Sequence, residues 1–280
     1  MTPVDLHCHS TVSDGLLPPR EVVRLAAGRG CRLLALTDHD ELGGLADAAD
    51  EAAQHGVRFV NGVEVSVSWG KHTLHIVGLG FDAANETLRE GLAGVRAGRD
   101  ARAVAMSESL ARAGIPDVLE GARRHADNPE IISRAHFARH LVERGLAKDV
   151  KSVFKKYLVR GKPGFVEHEW ARLHDAIAWI RGAGGVAVLA HPARYEIGNE
   201  TMRVLLTEFR RLGGEGIEVV SGVHGVHEVA RFGRLAQEFG LLASSGTDYH
   251  ATGEGARDPG LNPDLPLGCE PVWSRWLEAA

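Results

Sequence analysis

At 280 residues the chain is long enough for one large barrel or two ordinary domains, and either buries a substantial core. Its net charge of −5 argues against a polybasic nucleic-acid coat or membrane surface, and no run approaches the roughly 18 apolar residues of a membrane span. Cys8, Cys31 and Cys269 show no paired spacing and Asp5 precedes any apolar leader, so the expectation is a cytoplasmic protein without a disulfide framework.

Val4-Asp5-Leu6 reads as a short first strand running into His7-Cys8-His9, with Asp14 just beyond. Side chains at i and i+2 share a strand face, so His7 and His9 point one way and Cys8 the other. Pro18-Pro19 opens a helix with apolar positions at Val22, Val23, Leu25 and Ala26, and Gly28-Arg29-Gly30 closes it. Leu33 to Leu36 is a continuous apolar run, the pattern of a strand buried on both faces, and it stops at Thr37-Asp38-His39-Asp40. After Gly43-Gly44 an Ala-rich helix extends to about Gln54, and residues 57–60 form the next strand. Alternation after Gly62 (Val63, Val65, Val67) and again from Thr73 to Gly80, around Gly70-Lys71, predicts a hairpin that carries Glu64, His72 and His75.

The alternating pattern breaks from Asn85 to Glu169. Leu88, Leu92, Val95, Met106, Leu110, Phe137, Leu141, Val153 and Tyr157 keep helical spacing with no strand between them. The expected organisation is therefore a metal-binding barrel from 1–84 and 170–280, with 85–169 as a helical insertion contributing to substrate binding. Three more buried-strand runs, 186–189, 217–220 and 241–243, each follow a helical stretch and lead into His191-Pro192, Ser221 and Asp248-Tyr249-His250. About seven strands alternating with helices favour a parallel α/β barrel. The tail after Gly253 reads as loop with a short helix around Trp273 to Leu277.

A single His or Asp at a strand end is usually a surface or turn residue. Asp38 and Asp40 would equally cap a helix, and His191-Pro192 alone is a turn. Nine such groups at successive strand ends (His7, His9, Asp14, His39, Glu64, His75, His191, Asp248 and His250) point instead to divalent metals. His72 lies on the strand face opposite His75 and is left out. The set is too large for one four-coordinate zinc and suits two to three ions sharing a carboxylate. Its nitrogen and oxygen donors accept Mn²⁺, Zn²⁺ or Fe²⁺ and do not choose among them; Mn²⁺ is preferred, with Zn²⁺ or Fe²⁺ as alternatives. Such a site generates hydroxide at neutral pH and clamps both oxygens of a phosphoryl transfer, so the expected chemistry is phosphoester hydrolysis. A non-catalytic metal-binding regulatory module is the alternative from another class; a phosphatase of small metabolites such as histidinol phosphate is the alternative enzyme.

The insertion adds polar groups of its own. Ser133 at a helix start, followed by Arg134 and His136, offers free N–H groups, a hydroxyl and a guanidinium to an anion. Arg160 and Lys162 in the glycine-containing turn, and Ser221 and His224 after the sixth strand, are further substrate-binding candidates. His227 lies on the same stretch, and Tyr249 would either stack on a base or pack.

Asp5-Leu6-His7-Cys8-His9-Ser10 with Asp14, Thr37-Asp38-His39-Asp40 and Gly62-Val63-Glu64 resemble the opening motifs of the polymerase and histidinol phosphatase (PHP) family. His75, Ala190-His191-Pro192 and Gly246-Thr247-Asp248-Tyr249-His250 are similar to its later motifs, in order. The resemblance implies a distorted seven-stranded α/β barrel with a trinuclear centre. In it His7, His9, Glu64 and Asp248 would hold one ion, Glu64 would bridge to a second on His75 and His191, and Asp14, His39 and His250 would hold the third. It also implies a metal-bound hydroxide held by Glu64, His191 and Asp248, with no general acid indicated. Asn61 to Ser66, His75 to Gly80, and the insertion text Asn128 to Arg139 and Tyr157 to Gly164 resemble the family branch acting on 3′,5′-nucleoside bisphosphates and short 5′-phosphorylated RNA. Those are the implied substrates; no membrane and no obligate protein partner are expected.

Overall fold

A computed structural model describes residues 3–277 of the chain. The barrel begins with β1 (Val4–Asp5), α1 (Pro19–Gly28), β2 (Leu33–Leu36), α2 (Leu45–Gln54), β3 (Arg58–Trp69) and β4 (His72–Leu79). Helices α3 (Glu86–Ala97), α4 (Arg99–Arg112), α5 (Leu119–Arg124), α6 (Arg134–Glu143) and α7 (Val150–Val153), with a π-helical turn at Phe154–Leu158, follow without an intervening strand. The chain returns through β5 (Ala171–Arg172), α8 (Leu173–Gly182), β6 (Val186–Leu189), α9 (Asn199–Arg211), β7 (Gly216–Val220), α10 (Val226–Phe239) and β8 (Leu242–Ser245). A 3₁₀ turn at Val272–Arg275 closes the described chain. Among the described residues no helix is long and apolar enough to cross a membrane.

The strands lie in the order β1-β2-β3-β4-β6-β7-β8, with short β5 paired to β3 outside this path. Individual bonds, Leu6 N–H to Ser245 O at 2.9 Å, Asp248 N–H to His7 O at 2.8 Å and His9 N–H to Tyr249 O at 2.8 Å, join the last strand to the first. The result is a nearly closed seven-stranded barrel. It is not the all-parallel barrel that strand–helix alternation suggests, because β4 runs antiparallel to both β3 and β6. The cause is local. A two-residue turn at Gly70 (φ +54°) and Lys71 returns the chain beside β3, whereas a parallel return needs a long crossover. The strand expected at 57–60 begins at Arg58 and proves to be one with the alternating run after Gly62, since β3 continues past the barrel rim into this hairpin.

Alternation sorts the side chains. Leu33, Ala35, Val60, Val77, Leu79, Val186 and Val188 fill the barrel with Val4, Leu6 and Val272. Their neighbours Leu34, Leu36, Val63, Val65, Ile76 and Leu189 face outward and pack under the helices against Val22, Ile177, Leu205 and Phe209. Leu88 and Leu92 of α3 belong to this outer layer. The helices that follow have a separate core built from Met106, Leu110, Val118, Phe137, Leu141, Val153 and Leu158, a cap with its own apolar centre.

Candidate metal centre

All nine groups singled out in the sequence converge at one rim of the barrel. The structure brings His9, Asp14, His39 and His250 within ligand distance of one another, and likewise His7, His9 and Asp248; His7, Glu64 and His191; and His39, Glu64 and His75. These sets overlap more than the implied three: His9 also joins the Asp14 group, His7 also joins Glu64 and His191, and His39 also joins Glu64 and His75. Glu64 is the hub. Its Oε1 lies 2.8 Å from both His75 Nδ1 and His191 Nε2 and 3.3 Å from His7 Nε2, and its Oε2 lies 3.0 Å from His39 Nδ1 and 3.4 Å from His9 Nε2.

Strand geometry explains how these residues meet. Glu64 and Ser66 share the inner face of β3, and His75 is the register partner of Ser66, so His75 and Glu64 are diagonal neighbours on that face. Unlike the strand-end ligands expected from the sequence, His75 and Glu64 both stand inside their strands, His75 in the first half of β4. Because β4 is antiparallel, its start lies at the rim where the other strands end. His72 sits at the tip of the same hairpin, paired with Trp69. Gly246 makes room for the first histidine: a Cβ there would lie 2.2 Å from His7 Cβ. His191 and Asp248 adopt left-handed backbone angles (φ 25° and 53°), a conformation costing on the order of 1–3 kcal/mol that surroundings must hold in place.

Burial opposes ionisation of the carboxylates, yet their neighbours win. His75, His39 and His7 hold Glu64 well below the usual range; Arg194 and His7 do so for Asp248, and His39 and His250 for Asp14. Burial pushes His9 down to about 3 and His75 to about 4, leaving neutral imidazoles with free lone pairs. Burial also disfavours charge on His7 and His250, but Glu218 and Glu64 raise the first, and Asp14 raises the second to about 9. Asp14 Oδ1, Glu64 Oε2 and Asp248 Oδ1 are buried acceptors with no satisfying hydrogen bond, although imidazole nitrogens stand 3.2, 3.0 and 3.3 Å away. Converging, under-satisfied oxygens among imidazoles are what divalent ions complete, so these residues fit metals.

A buried support layer holds the cluster, and sequence reasoning missed most of it. Glu218, in the middle of apolar β7, accepts from His7 Nδ1 at 2.6 Å and from the backbone N–H of His191. It thereby turns Nε2 of His7 toward Glu64 and Asp248. The one signal for it was a carboxylate inside a fully buried strand run. Asp38 accepts from Ser10 N–H and from the Ser10 and Ser13 hydroxyls, and Asp40 accepts from Ser66 and pairs with Arg99, so neither caps a helix. Asp5 accepts from Thr247 N–H and hydroxyl and from Gly260 N–H.

The substrate candidates separate by position. Ser133 does start α6, but its hydroxyl accepts from Ala135 N–H, and His136 Nδ1 accepts from Ser133 N–H, so both groups serve the helix cap. Arg134 pairs with no acidic side chain among the described residues; it lies over the Phe154 ring and close enough to Asp14 to feel its charge. Arg160 is bound to Glu167 and to the Lys71 carbonyl at the hairpin tip, and Lys162 lies exposed beyond it. Ser221 is buried with an unpartnered hydroxyl. His224 braces the loop after β6, with Nδ1 on the Val219 carbonyl and Nε2 accepting from Ala193 N–H. His227 is exposed. Tyr249 is 1% exposed, with its hydroxyl on Thr252, and packs in the core.

Two further cations were not singled out in the sequence. Arg194 pairs with Asp248. Arg102 is 8% exposed, has no acidic partner among the described residues, and lies with Arg99 over Trp170 (5.1 and 4.9 Å to the ring centre). Burial pushes its pKa down to about 9, and Arg134 and Arg99 add to the shift. A buried guanidinium without a counter-ion is costly and marks a place for an anion.

The profile of the PHP domain matches residues 5–183. The chain is 56% identical over 279 residues to a 3′,5′-nucleoside bisphosphate phosphatase of Chromobacterium violaceum, covering 100% of this chain and 98% of that one. It is 40% identical over 272 residues to a 5′-3′ exoribonuclease of Haemophilus influenzae, covering 97% and 98%. An amidohydrolase structure from Chromobacterium violaceum, solved with sulfate and no metal, superposes with a TM-score of 0.95 at 55% identity over 98% of this chain and 95% of that one. A Bifidobacterium adolescentis protein assigned as a metal-dependent phosphoesterase superposes with a TM-score of 0.80 at 25% identity, covering 96% and 92%.

Proposed function

The chain belongs to the PHP domain family, and from that premise we propose that it is a metal-dependent phosphoesterase cleaving the P–O3′ bond of 3′,5′-nucleoside bisphosphates and of short 5′-phosphorylated RNA. The observation that carries this reading is the pairing of a carboxylate–imidazole cluster on the barrel rim, which would take a phosphate only through bound cations, with Arg102 and Arg134 of the cap, which have no acidic partner among the described residues. A substrate with a phosphate on each side of one ribose supplies an anion to both.

We infer that the nine rim ligands would hold two to three divalent ions, Mn²⁺ preferred, with Glu64 common to two of the ligand groups. When bound, such ions activate water as a nucleophile near neutral pH and neutralise charge on the phosphoryl group. The remaining work belongs to the protein. Arg134 and Arg102 hold the 5′-phosphate, which is not cleaved, and thereby place the 3′ ester at the rim. Ser133 and His136 fix the start of α6 and so the direction of Arg134. Glu218 holds His7 and His191 in one orientation.

One geometry yields both activities. With a bare phosphate on O3′, cleavage gives a nucleoside 5′-monophosphate and inorganic phosphate. With a nucleotide attached through that phosphate, the same cleavage releases a 5′-mononucleotide and leaves a new 5′-phosphate on the shortened RNA. The test compares 5′-phosphorylated and 5′-hydroxyl oligoribonucleotides of one sequence in Mn²⁺. The 5′-hydroxyl form should react about ten- to a hundredfold more slowly, because remote binding energy is lost. Equal rates, or release of nucleotides from the 3′ end, would refute the docking scheme.

A further inference from the structure

Helix α6 carries a second arginine, Arg139, that faces the barrel. Arg139 is 6% exposed and makes three bonds across the cap–barrel boundary. Its Nε and one terminal nitrogen donate to the two oxygens of Glu254 at 2.9 and 2.8 Å, and the other terminal nitrogen donates to the Asp14 carbonyl at 2.7 Å. Asp14 and His250 face each other (Oδ1 to Nε2 3.2 Å), and their loops are tied where Leu16 N–H donates to the His250 carbonyl at 2.8 Å. Glu254 follows on the His250 loop, its N–H bonded to the Ala251 carbonyl. One guanidinium therefore grips the Asp14 loop by its backbone and the His250 loop by a carboxylate.

We propose that Arg139 is a positioning residue: from the cap it sets the separation of Asp14 and His250, and with it the affinity of the metal group formed by His9, Asp14, His39 and His250. This rests on reading that group as a metal site. The bond to the Asp14 backbone leaves the Asp14 carboxylate free for its ligand role. The planar fork meets both loops at once, which a lysine ammonium on a flexible stem does not. Because α6 also bears Arg134, the helix that engages the remote phosphate is the helix that holds two ligands of one ion.

The test is metal binding, which needs no substrate. Wild type, Arg139→Met, Arg139→Lys and the reference His250→Ala are stripped by chelation and titrated with Mn²⁺, followed by calorimetry and by the rise in melting temperature that Mn²⁺ produces. We expect Arg139→Met to bind one ion at least tenfold more weakly with the others unchanged, a smaller Mn²⁺-induced rise, and partial recovery in Arg139→Lys. Glu254→Gln keeps Arg139 in place and should weaken the same ion to a lesser degree, which covers the case of a poorly folded Arg139→Met. A purely structural clamp would lower the melting temperature equally with and without Mn²⁺ and leave the titration unchanged, overturning the proposal. If His250→Ala itself leaves the titration unchanged, the metal reading of that group fails. If His250→Ala loses an ion while Arg139→Met and Glu254→Gln do not, the positioning role alone fails.

Discussion

Replacing Glu218 by Gln tests whether the support layer, and not the ligand list alone, makes the centre work. Glu218 accepts from two donors, His7 Nδ1–H at 2.6 Å and the N–H of His191, whose backbone is strained at φ 25°. A glutamine has the same shape but only one acceptor oxygen, so one donor must face its amide NH₂. An unsatisfied buried donor costs about 1–3 kcal/mol, which is about a five- to 150-fold change if the whole cost falls on ligand placement. Either choice misplaces a ligand of Glu64's group: His7 loses its fixed tautomer, or His191 loses the bond that holds its strained turn. We therefore expect Glu218→Gln to lower kcat for a 3′,5′-bisphosphate by about ten- to a hundredfold and to weaken Mn²⁺ binding with it. KM should stay near wild type, since Arg102 and Arg134 are untouched. Steady-state kinetics and Mn²⁺ titration on the same preparations measure both. A variant with wild-type Mn²⁺ affinity and kcat within twofold, or one in which only KM rises, would refute the argument.

Arg134→Ala and Arg102→Ala should each cut kcat/KM for the 3′,5′-bisphosphate by about ten- to a hundredfold while changing hydrolysis of 3′-AMP little; equal losses on both substrates would place them elsewhere. His136 is buried, and burial pushes its pKa down from 6.5 to about 4, so its stabilisation is complete above pH 6.5 and is lost as pH falls toward 4. Across that window the loss is on the order of 3 kcal/mol at most, and chelated His136→Gln should show a shallower fall in urea midpoint from pH 7 to 5 than chelated wild type; parallel curves would contradict this. Gly246→Ala forces a Cβ to within 2.2 Å of His7 Cβ and should cost at least about 1–3 kcal/mol, read as a lower melting temperature together with reduced Mn²⁺ content.

Much of this architecture is local in origin and so stands in the sequence. Leu33–Leu36 and Val186–Leu189 are runs of four buried apolar residues whose shortness and flanking turn signals mark interior strands. The polar groups that interrupt such runs, His7, His39, His191 and Asp248, mark the rim because a chain leaving a buried strand meets solvent there. Period-two alternation already separates His75 from His72. The direction of β4 was decided by the hairpin pairing, and with it the placement of His75 opposite Ser66 and beside Glu64. Glu218 became a support residue because β7 turns it toward His7, 211 positions away in the chain. Arg102, Arg134 and Arg139 are ordinary helix-surface residues by spacing. The packing of the cap buries Arg102 and Arg139 and half-buries Arg134, leaving Arg102 and Arg134 without an acidic partner among the described residues and binding Arg139 to Asp14 and Glu254. His224 likewise meets Ala193 from 31 positions away, and Tyr249 packs in the core. A periodic pattern fixes which face a side chain takes, while the partner it meets there depends on contacts between segments far apart in the chain.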